Sequence, residues 1–278
     1  MDWLIYAILT TISWGLFATF IKKSYTSQAP ILGVLTGAIA ATVILIPFAF
    51  LNHARLILPL IPIGIIVSAA YIFLYYALDK GKLALTATVQ STYPLFTIIF
   101  AFLFLHEHLS SFAKLGVLII LVGLVFISVE NPKTLLKIKP GSWLWWGISS
   151  SVLAGFGDFL SKVMVVHYDA YSYSLSFAIG WVIVATILAL IERKKITSNM
   201  LNKDGAYSFI GSGFMFLGYL FFYLAFRNGL ASVVVPITGS YSVVSLVLGI
   251  FWLKEKITKY QLLGAAIILV GIIAVSNQ

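Results

Sequence analysis

Ten stretches of about twenty apolar residues, separated by short polar connections, leave this chain almost no choice of fold. Bounded by charges, prolines, glycines and polar clusters, the expected spans are 3–21, 32–51, 60–79, 84–105, 113–129, 142–165, 171–191, 207–227, 232–253 and 259–276. Runs such as LGVLIILVGLVFI (115–127) and LLGAAIILVGIIAV (262–275) do not alternate apolar with polar residues, so a transmembrane barrel is excluded. Each span must satisfy its own backbone hydrogen bonds, which makes it a helix. The expected class is an all-α integral membrane protein with ten transmembrane helices.

Composition removes the alternatives. Hydrophobic residues make up 61% of the chain, charged residues only 10%, and the mean hydropathy is +1.03, which a soluble domain does not tolerate. The first apolar stretch has no basic segment before it and no small-residue cleavage pattern, so it is expected to remain as the first span. With no cysteine, thiolate metal sites, disulfides and thiol nucleophiles are ruled out. The net charge of +9 does not mark a nucleic-acid partner, because the basic residues punctuate the ends of spans rather than cover one face.

Those ends are unequal. Of 18 Lys and Arg, 14 fall in the connections 1–2, 3–4, 5–6, 7–8 and 9–10, leaving Arg55, Lys114, Lys162 and Arg227 elsewhere. The positive-inside bias therefore predicts those five loops to be cytoplasmic in a multi-pass protein of the cell membrane, with both termini outside.

The chain also repeats itself. Residues 76–128 align without a gap on 224–276, pairing Gly81 with Gly229, Tyr93 with Tyr241, Glu107 with Glu255, Gly116 with Gly264 and Gly123 with Gly271, each 148 residues apart. A weaker match at a spacing of 140 puts Gly15 over Gly155 and Lys22 over Lys162. The predicted organisation is a first five-helix repeat over 1–129, a linker over 130–141 and a second repeat over 142–278. An odd number of spans per repeat forces the two to be inverted in the membrane, the architecture of alternating-access transporters.

Candidate functional residues follow from cost. An ionisable group within a span is expensive enough to suggest function, and of nine acids only Asp158 lies well inside a predicted helix. It can take up a proton or meet a cationic substrate group; the competing reading is an ion pair with Lys162, four residues on along the same helix face. Lys22 and Lys162 either snorkel to headgroups or bind a substrate carboxylate. Gln90, Ser91, Thr92 and Tyr93 in span four face Thr238, Gly239, Ser240 and Tyr241 in span nine at the repeat spacing, with Pro94 and Pro236 close by. Broken helices at matching positions point to a substrate site. Trp14, Tyr71 and Tyr219 are the aromatic candidates. The substrate-binding set is thus Trp14, Tyr71, Gln90, Tyr93, Tyr219, Thr238 and Tyr241, with Asp158 and Lys162 as coupling residues.

FLHEHLSSFAKLGVLIILVGLVFIS and WLKEKITKYQLLGAAIILVGIIAVS, together with the Trp14–Gly15 pair, resemble the endings of the two halves and the first helix in the EamA family of the drug/metabolite transporter superfamily. The resemblance covers essentially the whole chain. It implies helices around a central cavity moving small metabolites, amino acids or related amphipathic solutes, often outward and in some cases in exchange for protons. Partners implied are a small-molecule substrate and the lipid bilayer, with a monomer or weak homodimer as the assembly; no cofactor or metal is expected. A facilitator of sugars or nucleosides is the alternative. A membrane enzyme is disfavoured, since His53, His106, His108 and His167 lie outside the spans and no P-loop occurs. A channel built by symmetry across subunits does not need ten spans in one chain.

Overall fold

The computed structural model describes residues 2–24, 31–81, 86, 89–128, 141–193, 203–254 and 256–276. The linker expected at 130–141 and Glu255 therefore lie outside the described residues, apart from Gly141. Within them the chain is helical throughout: α1 (Asp2–Ser24), α2 (Ile31–Leu51), α3 (Leu60–Lys80), α4 (Tyr93–Phe104), α5 (Ser111–Ser128), α6 (Ser142–His167), α7 (Ala170–Ile191), α8 (Lys203–Asn228), α9 (Ala231–Gly239), α10 (Tyr241–Phe251) and α11 (Lys259–Ser276). Eight segments are long and apolar enough to cross a membrane, α9 and α10 counting as one, and α4 and α11 are shorter apolar helices.

Spans four and nine are each interrupted close to the proline that the sequence places there, Pro94 and Pro236. A turn at Ser91–Thr92 precedes α4, and Ser240 separates α9 from α10. The hydrogen bonds at the two breaks correspond one to one at a spacing of 148. Thr92 N–H donates to Val89 O at 3.1 Å and Leu95 N–H to Thr92 O at 3.0 Å; Ser240 N–H donates to Ile237 O at 3.0 Å and Val243 N–H to Ser240 O at 2.9 Å. Each break is thus a tightened i to i−3 turn, which keeps the amides satisfied where the helix ladder is interrupted. Pro94, in the first turn of α4, has no N–H to leave unpaired there. Pro236 inside α9 withholds a donor just before the second break.

Packing gives the same paired pattern. α1 lies along α8 and α10, while α6 lies along α3 and α4; α2 packs on α7 and α8, α3 on α7, and α5 on α11. Small residues permit the closest approaches. A Cβ on Gly15 would meet Tyr241 O at 3.1 Å, and one on Gly155 would meet Tyr93 O at 2.8 Å, so α1 and α6 run against the starts of α10 and α4 in the same manner. On the α5–α11 seam, Cβ atoms on Gly116 and Gly123 would meet Gly271 O and Gly264 O at 3.0 and 2.9 Å. In hydrocarbon no hydrophobic force draws helices together, and such close backbone contact supplies the dispersion energy instead.

The outer surface is apolar, with Val43 60%, Leu118 57%, Leu190 71% and Ile273 64% exposed, as lipid contact requires. Inside, Trp181, Tyr75, Tyr173, Tyr223, Phe177 and Phe216 are fully buried. Buried hydroxyls return to carbonyls one turn back, as in Thr19 to Gly15 O at 2.8 Å and Ser174 to Ala170 O at 2.6 Å. Thr36 of α2 also reaches Ser212 of α8 at 2.8 Å.

The α5–α11 seam makes a testable demand. Gly123→Val places methyl groups where Ile268 and the α11 backbone already sit, and is expected to cost about 1–3 kcal/mol of stability. Gly213→Ala, whose Cβ meets only Ile44 Cδ1 at 3.9 Å, is expected to be neutral; thermal unfolding of both variants in detergent checks the contrast.

Candidate functional site

The helices enclose a cavity of about 140 Å³, lined from α1, α2, α3, Gln90 ahead of α4, the first residue of α4, α6, α7, α8 and α10. It lies in the half of the bundle nearer the Lys-rich connections. Phe17, Gly33, Leu78 and Gln90, at that end of their helices, are partly exposed. The opposite half is filled by Tyr173, Phe177, Phe222, Tyr223 and Phe226, each with 0% exposure. Tyr173 stacks edge-on to Tyr223 with centroids 4.9 Å apart, and its hydroxyl meets Ser161 at 2.8 Å.

A layer of aromatic residues divides the two halves. The Tyr71 hydroxyl of α3 hydrogen-bonds the Tyr219 hydroxyl of α8, and these tyrosines are themselves 148 residues apart in sequence. Each is backed by an indole. Tyr71 lies edge-on to Trp181 at 4.3 Å and Tyr219 edge-on to Trp14 at 5.2 Å. Both indoles are anchored through their N–H groups, Trp14 to Met215 O and Trp181 to Val34 O, each at 3.2 Å. Ring orientation at the cavity wall is therefore set by backbone bonds, which leaves ring surface to a solute.

Six of the seven substrate-binding candidates meet at this cavity: Trp14, Tyr71, Gln90, Tyr93, Tyr219 and Tyr241. Thr238 does not line it. Thr238 is fully buried in α9 and its hydroxyl donates to Val235 O at 3.1 Å, an intrahelical bond that consumes it beside the break. Tyr93 is 8% exposed and its hydroxyl lacks a hydrogen-bond partner, as does Gln90 Oε1. Thr238 lies near that Tyr93 hydroxyl without meeting hydrogen-bond geometry. Buried polar atoms left this way are costly and are a feature of binding sites.

Asp158 also lines the cavity, 8% exposed, and accepts one long hydrogen bond from Thr97 Oγ1 at 3.4 Å. It stands one turn before Ser161, whose hydroxyl meets Tyr173 in the packed half, which puts it at the deep side of the cavity. The ion pair with Lys162 does not form. The Lys162 ammonium points away from the cavity, donating to Phe226 O at 2.6 Å and Gly229 O at 2.8 Å. There it neutralises the carbonyl end of α8, where a helix favours a cation.

Lys162 works beside Glu107, whose carboxylate accepts from Ala231 N–H at 2.8 Å, Ser232 N–H at 2.9 Å and the Ser232 hydroxyl at 2.5 Å. Glu107 thereby caps the N-terminus of α9, an end that favours negative charge. Its reach depends on His106, which turns the chain out of α4 in the left-handed region at φ 51°. Lys254, at the corresponding place after α10, has φ 54°. His106 and His108 thus belong to a turn, and no group of potential metal ligands occurs among the described residues.

Sequence reasoning passed over Trp181. Its signal was available: a Trp twelve residues into the 22-residue α7 sits at mid-membrane rather than at an interface, where Trp normally anchors.

An all-helical bundle with lipid-facing apolar surfaces and a polar-edged cavity at its centre defines a multi-pass membrane protein of transporter type. The chain belongs to the EamA-like transporter family, whose sequence model matches residues 1–129 and 141–277. An uncharacterized transporter of Archaeoglobus fulgidus is 26% identical over 99% of both chains. One of Helicobacter pylori is 22% identical over 94% of this chain and 90% of its own. A protein of Methanocaldococcus jannaschii is 28% identical over 130 residues, 47% of this chain and 93% of that one. A solved crystal structure shares the fold with a TM-score of 0.81 at 14% identity, covering 98% of this chain and 96% of the other. Family and relatives point to transport rather than catalysis.

Removal of the α9 cap has a direct expected result. Glu107→Ala frees two amides and a hydroxyl at the packed end and is expected to lower stability by about 1–2 kcal/mol, read from thermal unfolding. Glu107→Asp, one methylene shorter, is expected to recover part of it.

Proposed function

We propose that this protein is a secondary transporter that moves small amphipathic metabolites by alternating access, with export from the cytoplasm as the direction and amino acids among the candidate solutes. The observation that carries the reading is the unequal filling of one bundle. A cavity occupies the Lys-rich half while aromatic packing closes the other, and the scaffold around both is built from corresponding pairs.

Those pairs support two inverted five-helix repeats, 1–129 and 142–278, joined by the linker 130–141. The larger helix contacts exchange consistently when spans one to five are swapped for six to ten. The breaks at Thr92 and Ser240, the left-handed turns at His106 and Lys254, and the Tyr71–Tyr219 bond all fall at the same spacing. The two family-matched stretches divide the chain at the same place, and a relative spanned by a 130-residue match has the size of one repeat. In such a scaffold the packing of one half can be exchanged for the packing of the other at modest cost, which is what moves access across the membrane.

With the Lys-rich loops in the cytoplasm, the cavity is loaded from inside. Asp158 is the group on which a proton and a solute compete, since a carboxylate with one long hydrogen bond gains from either.

Flux measurements in proteoliposomes with an imposed proton gradient test the coupling. Gradient-driven flux is expected in the parent and to fall about tenfold or more in Asp158→Asn, the scale of one charged contact. Flux equal in both would leave a facilitator. Orientation is tested in the natural cysteine-free background. An impermeant maleimide applied to intact cells is expected to label Arg55→Cys and not Lys256→Cys; the reverse pattern would place the termini inside.

A further inference from the structure

We infer that the cavity takes an organic cation, a protonated amine or quaternary ammonium on a compact apolar body, with Asp158 as its counter-ion. This rests on the transporter reading above and narrows its solute class.

Charge decides first. Among the described residues lining the cavity, Asp158 is the only acid, and no Lys, Arg or His is present. The nearest sequence candidate for a compensating cation, Lys162, is committed to the carbonyls of Phe226 and Gly229. Among the described residues Thr97 is the one donor to Asp158, at 3.4 Å, and its single hydroxyl proton is shared with Tyr93 O at the same distance. A carboxylate in that setting is expensive until a proton or a cation joins it.

The walls suit the rest of such a solute. Trp14, Tyr71, Tyr93, Trp181, Tyr219 and Tyr241 present aromatic rings around the carboxylate, and a cation near ring faces gains further attraction, most when desolvated. Gln90 Oε1 and the Tyr93 hydroxyl are buried acceptors without partners, suited to N–H donors. The volume of about 140 Å³ corresponds to a body of roughly one six-membered ring. An amino-acid zwitterion fits less well. Its ammonium could pair with Asp158, but its carboxylate would enter a site with no described cation to receive it. Amines that lack the carboxylate therefore come ahead of the amino acids themselves.

Four compounds of one shape separate these possibilities: 2-phenylethylamine as cation, 2-phenylethanol as neutral analogue, phenylalanine as zwitterion and 3-phenylpropionate as anion. Binding to the purified full chain at neutral pH is read by calorimetry. The amine is expected to bind about 10- to 100-fold more tightly than the other three. Asp158→Asn is expected to erase the preference for amine over alcohol while leaving alcohol affinity in place, and Asp158→Glu to retain it. The charge series on the parent decides the matter even where a variant fails to fold. Failure of the amine to bind, equal or tighter binding of the zwitterion or anion, or a preference that survives in a folded Asp158→Asn would each overturn the inference. Amine binding without amine flux in proteoliposomes would instead overturn the transporter reading and leave the site. Phenylalanine flux with no amine binding would do the opposite.

Discussion

Every backbone amide in the hydrocarbon must find a partner within the protein, and the rest of this structure is organised around that requirement. A continuous helix meets it automatically, which is why most of the chain is uninterrupted. Where the protein breaks a helix, it does so at the cavity and repairs the ladder at once. Thr92 and Ser240 are each held by an i to i−3 bond, and the residues that follow, Tyr93 and Tyr241, turn their side chains onto the cavity. The breaks place two polar side chains at mid-membrane without stranding the backbone that carries them. At the packed end the same requirement is met electrostatically, since α8 stops and α9 starts there. Lys162 takes up carbonyls of the first terminus and Glu107 amides of the second.

Against this paired scaffold, the departures from pairing carry the chemical information. Gly15 and Gly155 occupy corresponding contacts, but three residues on from them stand Ala18 in one half and Asp158 in the other. Thr97, which donates to Asp158, corresponds to Ser245, which accepts from Thr19 at 3.3 Å. One stretch thus carries a carboxylate at a position where the other carries a methyl group. The cavity has an acidic side, set by a single residue among its described lining.

Much of this was legible in the sequence, and for identifiable reasons. Apolar run length determines helices in lipid more strictly than propensity does in water, so α1 to α3 and α6 to α8 lie close to where the hydropathy places them. Cavity-lining residues were legible where two signals coincided, as at Tyr93 and Tyr241, where an unusual polar cluster recurred at the repeat spacing. Thr238 shows the limit of that logic, because a hydroxyl beside a helix break can be consumed by its own backbone. The Asp158–Lys162 spacing suggested a pair on one helix face, yet helical spacing fixes only where the Cβ atoms are. A long Lys side chain near a helix end follows the stronger local potential, here the carbonyl terminus of α8 on a neighbouring element. Contacts between distant elements, such as Glu107 on α9, depend on packing that no single helix encodes.

The two ends of the bundle also differ in the kind of energy that holds them. The end away from the Lys-rich loops combines aromatic packing with the charged contacts of Glu107 and Lys162, whereas the cavity end leaves Gln90 and Tyr93 with polar atoms unpaired. Unpaired polar groups raise the energy of this arrangement, and a solute that satisfies them lowers it, so occupancy changes the balance between the ends without new structure being needed. The Tyr71–Tyr219 bond lies at the boundary, joining α3 to α8 across the cavity floor. In the proposed alternating-access cycle, α8 and α9 would part from the Glu107 turn for access to reach the other face. That step gives up two amide contacts to a carboxylate and two carbonyl contacts to an ammonium. In that proposal, solute binding at Asp158 and release at the Glu107–Lys162 end are coupled through α6, which carries both Asp158 and Lys162 one turn apart. A shift of α6 large enough to reposition one must reposition the other.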